Sequence, residues 1–306
     1  ANVRNNEIYY NSYYGIEIIG SDAVVYNNYI HNNTLDAVYV TQNSDPVIDN
    51  NLILYHPRGI YIYSGTNSPV IRNNRINFSD SYAVYMNSNG APVIADNILA
   101  RNNATAIYLY AGDNMVVDAN EIYNNINDGI YLHNSVDNNN ITDNIIYKNT
   151  GYGVYILQNS NQLIDNNNIF NNNKSGIYNK QASGTISSNL ITVNRDYGII
   201  VESSSPTVKD NRIINNTNDG IYVYSSSSPV IDNNIIVYHP VGIEINSGTN
   251  SPVITNNDIN FSKSYGIAML SSGSPDINYN TIAHNGDDAV YLQAGSGIDV
   301  IGNYLF

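Results

Sequence analysis

The sequence predicts an all-β solenoid, a chain wound into stacked coils of parallel strands, and three observations predict it. An asparagine recurs fourteen times, at Asn6, Asn28, Asn51, Asn74, Asn97, Asn120, Asn144, Asn167, Asn189, Asn211, Asn234, Asn257, Asn280 and Asn303, with gaps of 22 to 24 residues. Three residues before each stands Ile or Val, and two after it Ile or Leu. Nine residues after it, or eight in two coils, a Gly or Ala opens a Gly-Ile-Tyr-Ile type tetrad, as at Gly59-Ile60-Tyr61-Ile62. A period this short, held from end to end, marks a repeat architecture.

Each repeat divides into three short strands. The Ile or Val before the asparagine and the Ile or Leu after it belong to the first and second, on either side of a turn. In the third, the residue after the Gly or Ala is Ile or Val in all thirteen tetrads, and the residue two further on is apolar in twelve, Asn179 being the exception. Alternation with period two gives one buried and one exposed face. No stretch of helical periodicity intervenes, so the repeat closes only by coiling, with strands of successive coils stacked in parallel about 4.8 Å apart. The recurrent Asn suits a turn position of positive φ, where stacked amides hydrogen-bond from coil to coil. About thirteen coils would make a rod roughly 60 Å long. A leucine-rich repeat shares this period, but its columns are Leu, whereas these are β-branched Ile and Val, which favour strands.

The uniform repeat argues for one domain over residues 1–306. A second period overlies it: residues 45–83 match residues 228–266 at 29 of 39 positions, an offset of 183 that superimposes Asn6 on Asn189 through Asn120 on Asn303. Residues 1–123 thus read as a duplicate of 184–306. Neither end carries a polar cap against edge pairing, which suggests missing flanking sequence or end-to-end self-association.

Composition narrows the partners. A net charge of −14, from 26 acidic and 12 basic residues, disfavours nucleic acid and anionic membranes. The absence of cysteine removes disulfides, thiolate-ligated zinc and thiol catalysis. No apolar run reaches the roughly 18 residues of a membrane span, and residues 1–6 show no signal-like region, as expected of a mature product or an excised segment. The abundance of Asn, Ser and Tyr points to an extracellular or cell-surface location. Seven glycosylation sequons begin at Asn32, Asn77, Asn103, Asn140, Asn173, Asn215 and Asn260.

With the Asn ladder and the N-x-I…G-I-x-I pattern in place, the chain resembles the right-handed parallel β-helix repeat proteins, in particular NosD-like and carbohydrate-binding, sugar-hydrolysis (CASH) domains of the pectate-lyase-like superfamily. The resemblance covers essentially the whole chain and implies a right-handed three-sheet parallel β-helix. It implies no single activity, because the fold carries lyases, hydrolases, epimerases and adhesins. Polygalacturonase-like enzymes pair Asp-Asp with His-Gly and Arg-x-Lys motifs; Asp287-Asp288 matches only the first. Alginate epimerases carry Asp-Pro-His, an order that His56-Pro57 and His239-Pro240 lack.

Three groups of residues are candidates for chemistry. The outer face of the third sheet bears Tyr39, Tyr61, Tyr85, Tyr108, Tyr131, Tyr155 and Tyr178 on seven successive coils, a strip suited to sugar rings or to stacking on itself. Asp36, Asp128, Asp219 and Asp288 precede the tetrads, three or four coils apart, and read as turn residues bonded to their own backbone. Glu202, Asp219, His239 and Glu244 span three coils and form the one candidate acid–base cluster. The five histidines are scattered, and grouped carboxylates for calcium are not evident, so neither a metal nor another cofactor is expected. The first reading is a non-catalytic extracellular structural or adhesive module, a segment of a longer array or fibre, with glycan binding on the Tyr-bearing sheet. The alternative is a polysaccharide-active lyase or glycoside hydrolase. A compact group of carboxylate and basic residues would mark the enzyme, and a uniform face the scaffold.

Overall fold

The computed structural model describes residues 1–135 and 137–306, which form strands and turns with no helix. The fold is the expected parallel β-solenoid of about 13 turns. The chain divides into two compact units, Ala1–Gly151 and Tyr152–Phe306.

Within the first unit one coil illustrates the rest. Its strands are Val47–Asp49, Leu52–Leu54 and Ile60–Tyr63. Ile48, Ile53, Ile60 and Ile62 point inward and are fully buried. Each lies in register with its counterpart one coil on: Ile48 with Ile71, Ile53 with Ile76, Ile60 with Val84, and Ile62 with Met86. Four apolar side chains per coil, each contributing roughly 1.5–3 kcal/mol on burial, make the core a set of continuous columns. In the second unit the same columns run through Ile186, Val208 and Ile231, through Ile191, Ile213 and Ile236, and through Ile199, Ile221 and Ile243. There the strands Val154–Asp165 and Ile177–Ser187 run unbroken across a corner. The exceptional Asn179 lies inside this stretch, accepting from Gln162 Nε2 (2.8 Å) and donating to Ala182 O (2.9 Å) and Ser204 Oγ (3.2 Å).

The tetrads open on Gly or Ala because the chain enters the third strand under its neighbours. A Cβ on Gly198 would lie 2.4 Å from Ile213 Cγ2 and 2.5 Å from the carbonyl oxygen of Gly220.

The ladder amides stack as expected. Asn51 donates through both its backbone N–H (2.9 Å) and its Nδ2 (3.0 Å) to Asn74 Oδ1, and Nδ2 also reaches the Val25 and Asp49 carbonyls. The chain of amides runs from Asn6 through Asn28, Asn51, Asn74, Asn97 and Asn120 to Asn144, and in the second unit from Asn167 through Asn189, Asn211, Asn234, Asn257 and Asn280 to Asn303. The conformational expectation is corrected: the left-handed residue is the one before the ladder Asn, as at Asn50 (φ 56°), Ala119 (φ 51°) and Tyr279 (φ 59°). The ladder Asn itself must aim its amide inward, so the turn is made one position earlier. Ala119→Gly is therefore expected to gain roughly 0.5–1 kcal/mol, because relief of about 1–2 kcal/mol of left-handed strain exceeds the added entropy of an unfolded glycine. A lower urea midpoint for this variant would contradict the assignment.

A second ladder stands five residues after the first. It comprises Asn11, Asn33, His56, Ser79, Asn102, Asn125 and Asn149 in the first unit, and Asn172, Asn194, Asn216, His239, Ser262 and Asn285 in the second. Asn102 donates through N–H and Nδ2 to Asn125 Oδ1 (3.0 and 2.9 Å), as Asn172 and Asn194 do to their successors.

Candidate functional site

The outward residue of each third strand forms the face on which the sequence places the tyrosines. In the first unit that face opens with Glu17, in register with Tyr39, and is uniform from there on. Tyr39, Tyr61, Tyr85, Tyr108 and Tyr131 stand in register with successive ring centroids 5.4, 5.1, 5.3 and 4.8 Å apart. The rings lie against one another, so a ligand on this face meets their edges and hydroxyls rather than their π-faces. Arg58 packs its guanidinium 3.7 Å from the centre of the Tyr61 ring and donates to both carboxylate oxygens of buried Asp36, at 2.8 and 2.9 Å. Burial pushes the Tyr61 and Tyr108 phenols up to about 12.

In the second unit the pattern breaks. Tyr155 and Tyr178 still stack, at 4.9 Å. On the following coils the same outward position holds Ile200, Tyr222 and Glu244. Two residues along, Lys180, Glu202, Tyr224 and Asn246 occupy the next outward column. Glu202 gathers this group: Lys180 Nζ lies 3.0 Å from Oε1, Tyr224 donates to Oε2 at 2.5 Å, and Tyr178 donates to the same oxygen. Burial opposes the charge on Glu202, but these hydrogen bonds outweigh it and hold the carboxyl below its ordinary value. Burial, reinforced by the bonds to Glu202, raises the Tyr178 and Tyr224 hydroxyls well above theirs.

The second carboxyl group behaves oppositely. Asp219 is 7% exposed. Burial first, then the nearby charge of Glu244, pushes it up to about 7, although it accepts the Val241 N–H at 3.0 Å. Tyr197 and Tyr222 stack beside it at 4.7 Å, and burial together with Asp219 takes the Tyr197 phenol up to about 12. Glu244 accepts from Asn246 Nδ2 at 2.9 Å. Carboxyls whose surroundings push them in opposite directions suit opposite roles, one as acid and one as base or anion.

Two expectations about single residues are corrected. His239 does not join this face: it is fully buried in the second inner ladder, where its Nε2 accepts from Asn216 Nδ2 at 3.2 Å and burial lowers it to about 3. His56 is its equivalent in the first unit, bonded to Asn33 at 3.0 Å and lowered to about 4. Asp36 and Asp219 do not bond their own turns but reach the next coil, to Arg58 and Val241. Of the four residues proposed as an acid–base cluster, the structure places Glu202 and Glu244 on third strands and Asp219 in the turn that enters the strand Ile221–Tyr224. Lys180, Tyr224 and Arg58 were not singled out by the sequence, because nothing in a single coil marks which distant charge they meet. Among the described residues no group of three His, Asp or Glu side chains converges to hold a metal ion, and no helix is long and apolar enough to cross a membrane.

Inward amide ladders, parallel columns of Ile and a charged outer sheet define a β-helix protein with a chemically varied third face. The chain belongs to the right-handed β-helix family, whose model, the right handed beta helix region, matches residues 1–102, 56–191, 179–258 and 197–306. Among solved structures it is similar in fold to a mutant form of the periplasmic alginate epimerase AlgG, with a TM-score of 0.66 and 16% identity over 94% of this chain and 77% of that one. A second AlgG structure gives 0.59 and 16% identity over 88% and 76%. The Agl-KA catalytic domain gives 0.55 and 16% identity over 89% of this chain and 62% of its own. Comparison with curated protein sequences gives no match.

Proposed function

We propose that the chain binds and processes a polysaccharide laid along the outward face of the third strands in residues 152–306. The observation that carries this reading is that the Tyr ladder gives way to two charged groups, Glu202 with Lys180, Tyr178 and Tyr224, and Asp219 with Glu244. A scaffold repeats its face from coil to coil, whereas Glu202 and Glu244 each occur on one coil of this sheet with partners found nowhere else along it among the described residues. AlgG, similar in fold, is named as an alginate epimerase, which makes polysaccharide the substrate class to test first, and its periplasmic location supports a site of action outside the cytoplasm.

Register divides the labour. Glu202 pairs with Tyr224, five residues beyond Asp219, or about 16 Å at strand rise, so those two carboxyls cannot act on one bond. Glu244 pairs with Tyr222, one coil on from Asp219 and three residues along, and is the partner within reach. Asp219, neutral up to about pH 7, donates a proton, and Glu244 supplies the second carboxyl. Glu202, fixed as an anion by two phenols and an ammonium, holds hydroxyls of a neighbouring sugar. Asp219→Asn and Glu244→Gln are each expected to lower kcat by about 10²–10⁴-fold, while Glu202→Gln raises KM more than it lowers kcat. Turnover of a polysaccharide panel, followed by reducing ends and by unsaturated products, checks this. Unchanged kcat in both Asp219→Asn and Glu244→Gln would remove the assignment. The Tyr ladder from Tyr39 to Tyr131 favours a purely binding role for the first unit.

A further inference from the structure

A different surface, on the corner that follows each second strand, carries a site of its own. One residue per coil sits there with left-handed φ. In the second unit these are Asn171, Val193, Asn215, Tyr238, Phe261 and His284, with φ between 52° and 64°. Asn suits that conformation and bulky aromatic rings do not, yet three successive coils place rings there. Tyr238 stacks on Phe261 at 5.1 Å, and Phe261 on His284 at 5.2 Å. Tyr238 is 53% exposed and Phe261 45%. The coil before Tyr238 supplies only Asn215, so the stack begins at Tyr238 with no ring beneath it. The step there is a hollow of about 450 Å³ lined by Ile214, Asn215, Tyr238, Phe261 and Lys263.

The rim is chemically specific. Lys263 takes part in none of the ion pairs among the described residues. It is one of 12 basic residues against 26 acidic ones, so a free ammonium beside an open aromatic face is unusual in this chain. The offset of 183 residues provides an internal comparison. Tyr55 and Phe78 repeat the stacked pair at 5.1 Å, with Asn32 before them. But Asp80 stands where the second unit has Lys263, His31 replaces Ile214, and the Asn32 amide is tied to His31 Nδ1 at 3.0 Å. The aromatic platform is common to both corners; the first has Arg101 5.6 Å from the centre of the Phe78 ring, whereas a cation at the Lys263 position beside a free amide belongs to the second.

We infer that the hollow at Tyr238 is a binding subsite for an acidic pyranose unit, a uronosyl residue of a polysaccharide. The ring's apolar face lies on Tyr238, its carboxylate meets Lys263, and the Asn215 amide takes a hydroxyl. The choice of a sugar ligand rests on the function proposed above, but the site lies on another face and needs none of its carboxyls. The equivalent corner at Tyr55, with Asp80 on its rim, disfavours the same ligand.

The test is amide-shift NMR on the whole chain, titrated with methyl galacturonoside and, separately, with neutral methyl galactoside. The uronoside is expected to move the amides of Asn215, Tyr238 and Lys263 with at least tenfold higher affinity than the neutral glycoside, and to leave those of Asn32 and Tyr55 unmoved. Tyr238→Gly is the informative variant, since glycine accepts a φ of 64° without strain and the corner keeps its backbone. It should weaken binding at least tenfold, as should Lys263→Asp, while both retain the parent melting curve. Equal shifts by the two glycosides, no shifts at this corner, or undiminished binding in Tyr238→Gly would each overturn the inference. Because the readout is local, loss of turnover in Asp219→Asn with these shifts intact leaves the subsite standing, and the reverse outcome leaves the proposed reaction standing.

Discussion

Asn97→Leu is expected to destabilise the first unit by roughly 3–6 kcal/mol, far more than a polar-to-apolar exchange of similar volume at the surface. Asn97 Oδ1 accepts from the backbone N–H (2.9 Å) and Nδ2 (3.1 Å) of Asn74, and its Nδ2 donates at 2.9 Å to Ile71 O, Ala95 O and Asn120 Oδ1. Leucine fills the space and breaks all five contacts. The Asn74 N–H and the Ile71 carbonyl then lack these partners in a region closed to water, at about 1–3 kcal/mol for each buried polar group left without one. The added apolar burial, about 25 cal/mol per Å², does not offset this because the site is already filled. At roughly 2–4 °C per kcal/mol for a cooperative unit of this size, the melting temperature should fall by at least about 6 °C. A shift of under 2 °C would show that the amides are incidental to the fold.

Asp219→Asn should have the opposite sign, and its effect should depend on pH. The folded carboxyl lies near 7, above its ordinary value of 3.8, because burial and Glu244 disfavour the anion. Between about pH 4 and pH 7 the folded chain binds a proton that the unfolded chain has released. Stability from this group is therefore greatest below about pH 4, declines as pH rises through that window, and is level above it. Three pK units correspond to roughly 4 kcal/mol. Asparagine can still accept the Val241 N–H and never ionises, so the variant should match the parent near pH 4 and exceed it by up to a few kcal/mol at pH 8. Urea unfolding at both pH values decides this. Parallel stability curves for parent and variant would show that Asp219 is ionised at neutral pH and would remove it as a proton donor.

The fold was legible because its signal is repeated. Every coil restates the same Ile, Asn and Gly positions, and the β-branched columns beside the fourteen asparagines separate this fold from a leucine-rich repeat of the same period. The left-handed turn was misplaced by one residue for a physical reason: Asn5-Asn6, Asn27-Asn28, Asn50-Asn51 and Asn73-Asn74 offer the same side chain at both positions. Coils with another residue before the ladder Asn, such as Ala119, Ser188, Tyr279, Asp96, Asp143, Asp210 or Gly302, separate the two roles. The second ladder was within reach, since nine of its thirteen positions are Asn. Its interruption by His56 and His239 instead drew attention to those histidines as chemistry, when they stand in for amides inside the coil.

The site was less legible. Glu202, Asp219 and Glu244 drew notice as acidic residues near the right strands. What distinguishes them is the company supplied by other coils: Tyr178 and Tyr224 for Glu202, Glu244 for Asp219. Those partners are set by how coils lie on one another, and a lone Lys180 or Arg58 looks like any solvated charge until that register is known. Uniform columns announce themselves in sequence, and departures from uniformity take their meaning only from the stack.

The ladder amides also have a direction. Each Asn offers two donors toward its successor and one acceptor toward its predecessor, as Asn51 does to Asn74. A chain emerging from the ribosome amino end first thus leaves the newest turn with a ladder backbone N–H that the following turn satisfies, while its Nδ2 already reaches carbonyls of its own and the preceding coil. Growth in that order completes each layer by the arrival of the next, so winding and translation proceed in the same sense.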